Sequence, residues 1–206
     1  MINLKDVTDL KKIFAVFVFL TLLILTSTAS AQWTVQMNDP SKTTYGEKNP
    51  NSPQELSAFS FIIGKWDGKG KTKLEDGKFA EYDVTWIGRY ILDGTAIADE
   101  LHATTPDGKP YLGISLRQYD AQRKTWIIEY LNVNGSFLRR QVNSKSGSVQ
   151  VSGRNVTVTS ESPGVVVREH YLVESDDAFV YRLDVSNDAG KTWNEGQLEW
   201  TFHRSK

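Results

Sequence analysis

The chain has no cysteine among its 206 residues. That excludes disulfides, thiolate metal sites, cysteine nucleophiles and any lipid anchor attached through an N-terminal thiol. Stability has to come from core packing and sheet hydrogen bonds. An excess of one charge sign is missing as well. Lys and Arg number 24 against 25 Asp and Glu, a formal net charge of −1. With no block of like charges, the sequence carries no electrostatic footprint for nucleic acid. Histidine is scarce, with only His102, His170 and His203. No H-x-H, H-E-x-x-H or carboxylate cluster accompanies them, so no metal site is expected. There is no G-x-S-x-G elbow for a hydrolase. Gly68-Lys69-Gly70-Lys71 lies in an expected strand with no helix behind it, so it is not a phosphate loop.

Long apolar runs are also rare, and the one present sits at the start. It extends over about thirteen residues from Ile13 to Leu25, short of the roughly 20 that span a bilayer. Lys5, Lys11 and Lys12 precede it and Ala29-Ser30-Ala31 follows. This reads as a signal peptide over 1–31, with Gln32 as the new N-terminus. The expected product is periplasmic or secreted, and soluble without stable membrane insertion once cleaved. Residues 32–52 are rich in Asn, Pro, Ser, Thr and Lys without an apolar period, and are expected to form a flexible leader. The domain proper then covers 53–206.

Ser52-Pro53-Gln54-Glu55 has the chemistry of a helix start, with Ser52 as cap and Glu55 completing a capping box. Leu56, Phe59 and Ile63 supply one apolar stripe, and Gly64 is suited to end the helix. From there the pattern is β. Strand-like runs fall at about 65–74, 78–91, 94–104, 110–120, 124–133, 136–143, 148–160, 164–174, 178–186 and 196–204. Asp76-Gly77, Asp93-Gly94, Asp107-Gly108, Asn134-Gly135, Ser146-Gly147, Pro163-Gly164 and Ala189-Gly190 punctuate them, and such pairs tolerate the positive φ of hairpin turns. About ten antiparallel strands in up-and-down order predict an all-β barrel with one short N-terminal helix, because closure removes exposed edges.

Alternation divides each strand into faces. Leu198, Trp200 and Phe202 oppose Glu199, Thr201 and His203, and Leu112, Ile114 and Leu116 oppose Tyr111, Gly113, Ser115, Arg117 and Tyr119. The recurrence of Tyr, Ser and Arg leaves room for a polar-lined cavity, whichever face turns inward.

The stretch Gly64-Lys65-Trp66-Asp67-Gly68-Lys69-Gly70 resembles the first strand of lipocalin-like barrels, where a tryptophan near the N-terminus packs across the barrel bottom. Three further stretches follow: Trp86-Ile87-Gly88-Arg89-Tyr90 with Leu92-Asp93-Gly94, Tyr119-Asp120 with Trp126, and the turn from Asp188 to Trp193. In this order they resemble an uncharacterised bacterial family of exported lipocalin-like, calycin-type domains of unknown function, over roughly residues 56–205. The resemblance implies a calycin-type barrel with Trp66, Gly68 and Trp193 as structural residues, and no established activity. A weaker similarity is to nitrobindin-type barrels, which open with a like motif and bind ferric haem through a histidine near the C-terminus. His203 is the residue so placed, and it reaches a haem only if Leu198, Trp200 and Phe202 face outward.

Three readings stay open. The leading one is a non-catalytic barrel binding a small, largely apolar molecule, with or without a carboxylate. Arg117 and Arg168 lie inside strand runs and offer a guanidinium fork, while Trp126 and Tyr130 offer aromatic walls. No cofactor is expected, with haem as the alternative. The second is an enzyme using Glu100 and His102, which share a strand face at a spacing of two, as an acid–base pair. The third is an envelope protein that binds a partner through its surface or leader. The residues leave open whether the chain is an enzyme.

Overall fold

The computed structural model describes residues 46–104, 108–134, 137–140 and 148–206. The expected signal peptide and the leader up to residue 45 lie outside the described residues. Eleven strands follow one 3₁₀ helix (Gln54–Ile62): β1 (Gly64–Lys73), β2 (Phe79–Ile91), β3 (Ala96–Thr104), β4 (Pro110–Asp120), β5 (Thr125–Asn134), β6 (Phe137–Arg140), β7 (Ser148–Ser152), β8 (Asn155–Ser162), β9 (Val165–Val173), β10 (Ala178–Ser186) and β11 (Asn194–Arg204). They form one antiparallel sheet in the order β6-β5-β4-β3-β2-β1-β11-β10-β9-β8-β7. The sheet curls into a nearly closed up-and-down barrel, as the turn spacing predicts. The first and last strands pair along Trp66↔Arg204 to Thr72↔Leu198. The sheet order ends at the short strands β6 and β7.

The expected run at 148–160 is two strands, because Gly153 takes a φ of +61° and turns the chain between Ser152 and Asn155. This Ser-Gly-Arg turn lacks the Asx-Gly signature of a type I′ hairpin.

The helix also differs in detail. It is a 3₁₀ helix with no side-chain cap. Ser52 Oγ donates elsewhere, to the carbonyls of Asn49 (2.6 Å) and Gly94 (2.8 Å), so the expected capping box is absent. Three residues per turn place Leu56, Phe59 and Ile62 on one face, and these are the buried residues rather than Ile63. The described end of the expected leader is held in place. Asn49 is buried, its N–H donates to the Gly94 carbonyl, and its Nδ2 donates to Asp93. Asn- and Ser-rich composition marks turn chemistry as readily as it marks a mobile segment.

The opening motif has a steric cause. Trp66, Gly68 and Gly70 point inward on β1, opposite Arg204, Phe202 and Trp200 of β11. A Cβ on Gly68 would lie 2.5 Å from the Thr201 carbonyl oxygen and 2.7 Å from the Phe202 ring, and one on Gly70 would lie 2.6 Å from both Trp200 and Tyr82. The two glycines therefore leave the space that the aromatics of β11 fill. Those rings join a cluster around Trp86, which meets Phe202, Tyr181, Phe179 and Trp200 edge-on at 5.4–6.1 Å. Each such pair adds about 0.5–1.5 kcal/mol beyond burial. At the bottom, Trp66 Nε1 donates to the Ile62 carbonyl (3.1 Å). Arg204 stacks 4.1 Å over the Trp66 ring and donates to the Ile63 carbonyl (2.9 Å), locking the helix across the barrel end. No helix among the described residues is long and apolar enough to cross a membrane.

Gly68→Ala is expected to destabilise the fold by about 1–3 kcal/mol through overpacking. The check is a lower urea midpoint with an unchanged m value.

Candidate functional site

The strands do not all turn the same kind of face inward. On β10 and β11 the apolar set Phe179, Tyr181, Trp200 and Phe202 is buried. On β4 the polar set is inside, with Ser115 and Arg117 buried and Leu116 exposed. On β9 the inward residues are Val167, Glu169 and Tyr171, and all three line the interior space. The barrel is thus packed solid with rings on one side. On the other it keeps a polar-walled cavity of about 200 Å³, between Trp86, Asp99, Tyr111, Ser115, Arg117, Tyr130, Glu169, Tyr171, Tyr181 and Trp200.

A chain of polar groups crosses this cavity. Asp99 and Arg117 are 1% and 2% exposed and form an ion pair. Arg117 Nη2 donates to the Tyr171 hydroxyl (3.1 Å), which donates to Glu169 Oε2 (3.1 Å). The guanidinium lies 5.1 Å from the Phe59 ring and 5.9 Å from Tyr171, so the plugging helix helps hold it. The Tyr111 and Tyr130 hydroxyls hydrogen-bond to each other. Two buried donors, Arg117 Nε and Trp86 Nε1, have no acceptor among the described residues.

Burial pushes the Glu169 carboxyl above the usual carboxylate range, against the opposing pull of Arg117 and the Tyr171 hydroxyl. Burial likewise raises Tyr111, Tyr130, Tyr171 and Tyr181, and the charge on Glu169 pushes each further up. Four tyrosines therefore sit within electrostatic reach of one acid.

Of the residues singled out from sequence, Arg117 and Tyr130 line the cavity. Trp126 is buried beside the helix, edge-on to Phe59 (5.0 Å) and Tyr119 (5.4 Å). It borders a separate groove of about 840 Å³ between the helix, the β4–β5 turn and β7. That groove is larger, but it holds neither the buried ion pair nor Glu169. Glu100 and His102 meet on the outer face of β3, where Glu100 also pairs with Arg89 and sits 3.4 Å from His102 Nε2. Arg168 is on the outer face of β9, stacked 3.7 Å over Trp193. Trp193 closes the 186–193 turn through Nε1 to the Gly190 carbonyl (3.1 Å). In that turn Asp188 accepts from Ser186 and from Lys191 and Thr192, and the Thr192 bonds foremost hold its carboxyl down to about 2.

Sequence reasoning missed Asp99, Glu169, Tyr171 and Trp86. A signal for the two acids was present at period two. Ile97-x-Asp99-x-Leu101 and Val167-x-Glu169-x-Tyr171 each set an acid within an otherwise apolar face.

The residues present do not fit a haem. His203 is exposed on the face opposite Trp200 and Phe202, no histidine lines the cavity, and 200 Å³ is below the roughly 300 Å³ where pockets for drug-sized ligands begin. Among the described residues no group of three or more His, Asp or Glu is placed to hold a metal ion.

No protein-family model matches the chain, and no curated protein matches it in sequence. Solved structures do match. Rv2717c from M. tuberculosis superposes with a TM-score of 0.50 at 17% identity, covering 76% of this chain and 100% of that one. The S-type phycobiliprotein lyase CPES from Guillardia theta gives 0.49 at 10% identity, over 72% and 90%. A de novo designed fluorescence-activating β-barrel gives 0.36 at 18%, over 73% and 98%. The mycobacterial likeness supports the antiparallel barrel fold and is silent on activity.

Asp99→Ala is expected to cost about 3–5 kcal/mol, because it leaves a buried guanidinium unpaired. The double variant Asp99→Leu/Arg117→Met should recover most of that loss in a urea titration. Glu169 carries the opposite pH sign from an ordinary surface acid. Its folded pKa is raised, so its stabilisation is complete below the unfolded value of about 4.3 and is lost as pH rises through the folded value. Glu169→Gln should remove that loss, which thermal melts between pH 4 and 8 would show as a flatter profile than wild type.

Proposed function

We propose that the chain is an exported, non-catalytic lipocalin-like barrel that holds one small, largely apolar molecule in the interior cavity. The observation that carries this reading is the cavity itself, walled by aromatic rings and by the polar side chains of Ser115, Arg117 and Glu169. Size bounds the ligand. A dry engineered cavity of about 150 Å³ takes benzene, so about 200 Å³ suits a single substituted ring or a short branched chain. Arg117 has little left for a ligand carboxylate, because Asp99 and Tyr171 occupy its terminal nitrogens. The candidate acid–base pair Glu100 and His102 lies outside the barrel, away from this space.

The test is native mass spectrometry with an absorbance scan on the protein purified from its own envelope fraction. The expected result is a bound mass of small-molecule size without a Soret band. Ser115→Phe, which fills the cavity from a lining position, should abolish that mass while the protein still folds. A clean apo mass, with no change in melting temperature on adding small ring compounds, would overturn the proposal.

A further inference from the structure

Among the described residues, charge inside the cavity is unbalanced. Asp99, Glu169 and Arg117 are the charged ones that line it. The guanidinium is matched by Asp99 in an ion pair. Glu169 accepts one hydroxyl from Tyr171 and has no cation of its own among the described lining residues. Around it stand the rings of Tyr111, Tyr130, Tyr171 and Tyr181, with Trp86 and Trp200 in the same wall. An aromatic enclosure built about one carboxylate is complementary to a desolvated ammonium, which pairs with the acid and lies against the negative faces of the rings.

We propose that the ligand of this cavity is a small organic cation, a protonated amine on an aromatic or short aliphatic body, with Glu169 as its counter-ion. The inference rests on the binding reading above and assigns its chemical class. A carboxylate ligand is the weaker fit. It would enter beside Asp99 and Glu169 and compete with Asp99 for Arg117.

Proton linkage follows from the geometry. An ammonium beside Glu169 favours the ionised acid, as any opposite charge within a few ångströms does. Amine entry therefore acts against the burial that raises the carboxyl. Among the described residues, the groups facing it are Tyr171 on its own strand, Tyr181 from β10, Tyr111 and Arg117 from β4, Tyr130 from β5 and Asp99 from β3. The four tyrosines, all raised, are neutral throughout the acid and neutral range. Amine affinity should consequently fall as pH drops through the Glu169 transition.

Three probes of matched size separate the alternatives by calorimetry or tryptophan quenching on the whole protein: benzylamine, benzyl alcohol and benzoate. The expected result at pH 7 is benzylamine binding at least tenfold tighter than benzyl alcohol, with benzoate weakest. Glu169→Gln should remove the tenfold preference and bring benzylamine to the level of the alcohol. If that variant fails to fold, the wild-type profile still decides, since benzylamine affinity should drop as pH falls through the Glu169 transition while alcohol affinity stays level. Benzoate or the alcohol binding tighter than the amine would overturn the cation assignment and leave the cavity reading standing. No binding by any of the three, with Ser115→Phe indistinguishable from wild type, would overturn both.

Discussion

An antiparallel barrel closes only if its first and last strands can lie side by side with their interior residues at the same level. Here that constraint falls on β1 and β11. Trp200 and Phe202 project inward from β11, and the residues opposite them on β1 are Gly70 and Gly68. With side chains at those positions the rings would meet a Cβ at less than contact distance, and the two strands could not hold their register. Closure then fixes the rest. The β11 rings reach Trp86, Tyr181 and Phe179, Trp66 is pressed against the base, and Arg204 ties the end of the chain to the helix that caps the barrel.

Filling one side of the barrel with rings determines what the other side can be. With Trp86 and Trp200 filling the β2 and β11 side, the opposite wall is left to Ser115, Arg117 and Glu169. Buried charges survive only when paired and hydrogen-bonded. The Asp99–Arg117 pair, extended through Tyr171 to Glu169, meets that condition for three of the four groups. Glu169 is the group it meets least well, which is why its carboxyl rises. Phe59 couples this chain to the cap, because one face of its surroundings is Arg117 and another is Trp126.

The barrel was legible because its signals are local. Asx-Gly turns and two-residue alternation mark strands without any knowledge of their partners. The divided run at 148–160 was missed although Ser152-Gly153 is the same kind of pair as Ser146-Gly147, because the apolar alternation continues on both sides of it. The helix was placed one residue early and its capping box is absent, because Ser52 donates to the Asn49 carbonyl and to that of Gly94 in the β2–β3 turn, the latter a partner 42 residues away that no local motif encodes. The site was half legible for a related reason. Alternation groups Arg117 with Tyr111 and Ser115, yet which group faces inward depends on the neighbouring strands. The same ambiguity placed Arg168, Glu100 and His102 beside Arg117 in the sequence reading, although their strands turn them outward. Asp99 and Glu169 each looked like an interruption of an apolar face, and that interruption was the informative feature.

The cavity is energetically conspicuous. At about 24 cal/mol per Å³, leaving about 200 Å³ unfilled costs about 5 kcal/mol, comparable to the whole net stability of many domains at about 5–15 kcal/mol. Water lowers that cost, because polar walls hold ordered waters where apolar walls hold none. Yet the same wall includes Trp86, Tyr181 and Trp200, whose ring surfaces gain nothing from water. A space lined half by rings and half by polar groups is satisfied fully by neither water nor hydrocarbon. The proposed ligand has both characters: its body would displace water from the rings while its polar end meets Glu169. The cost of leaving such a space unfilled and the chemistry proposed for its ligand both follow from the same wall.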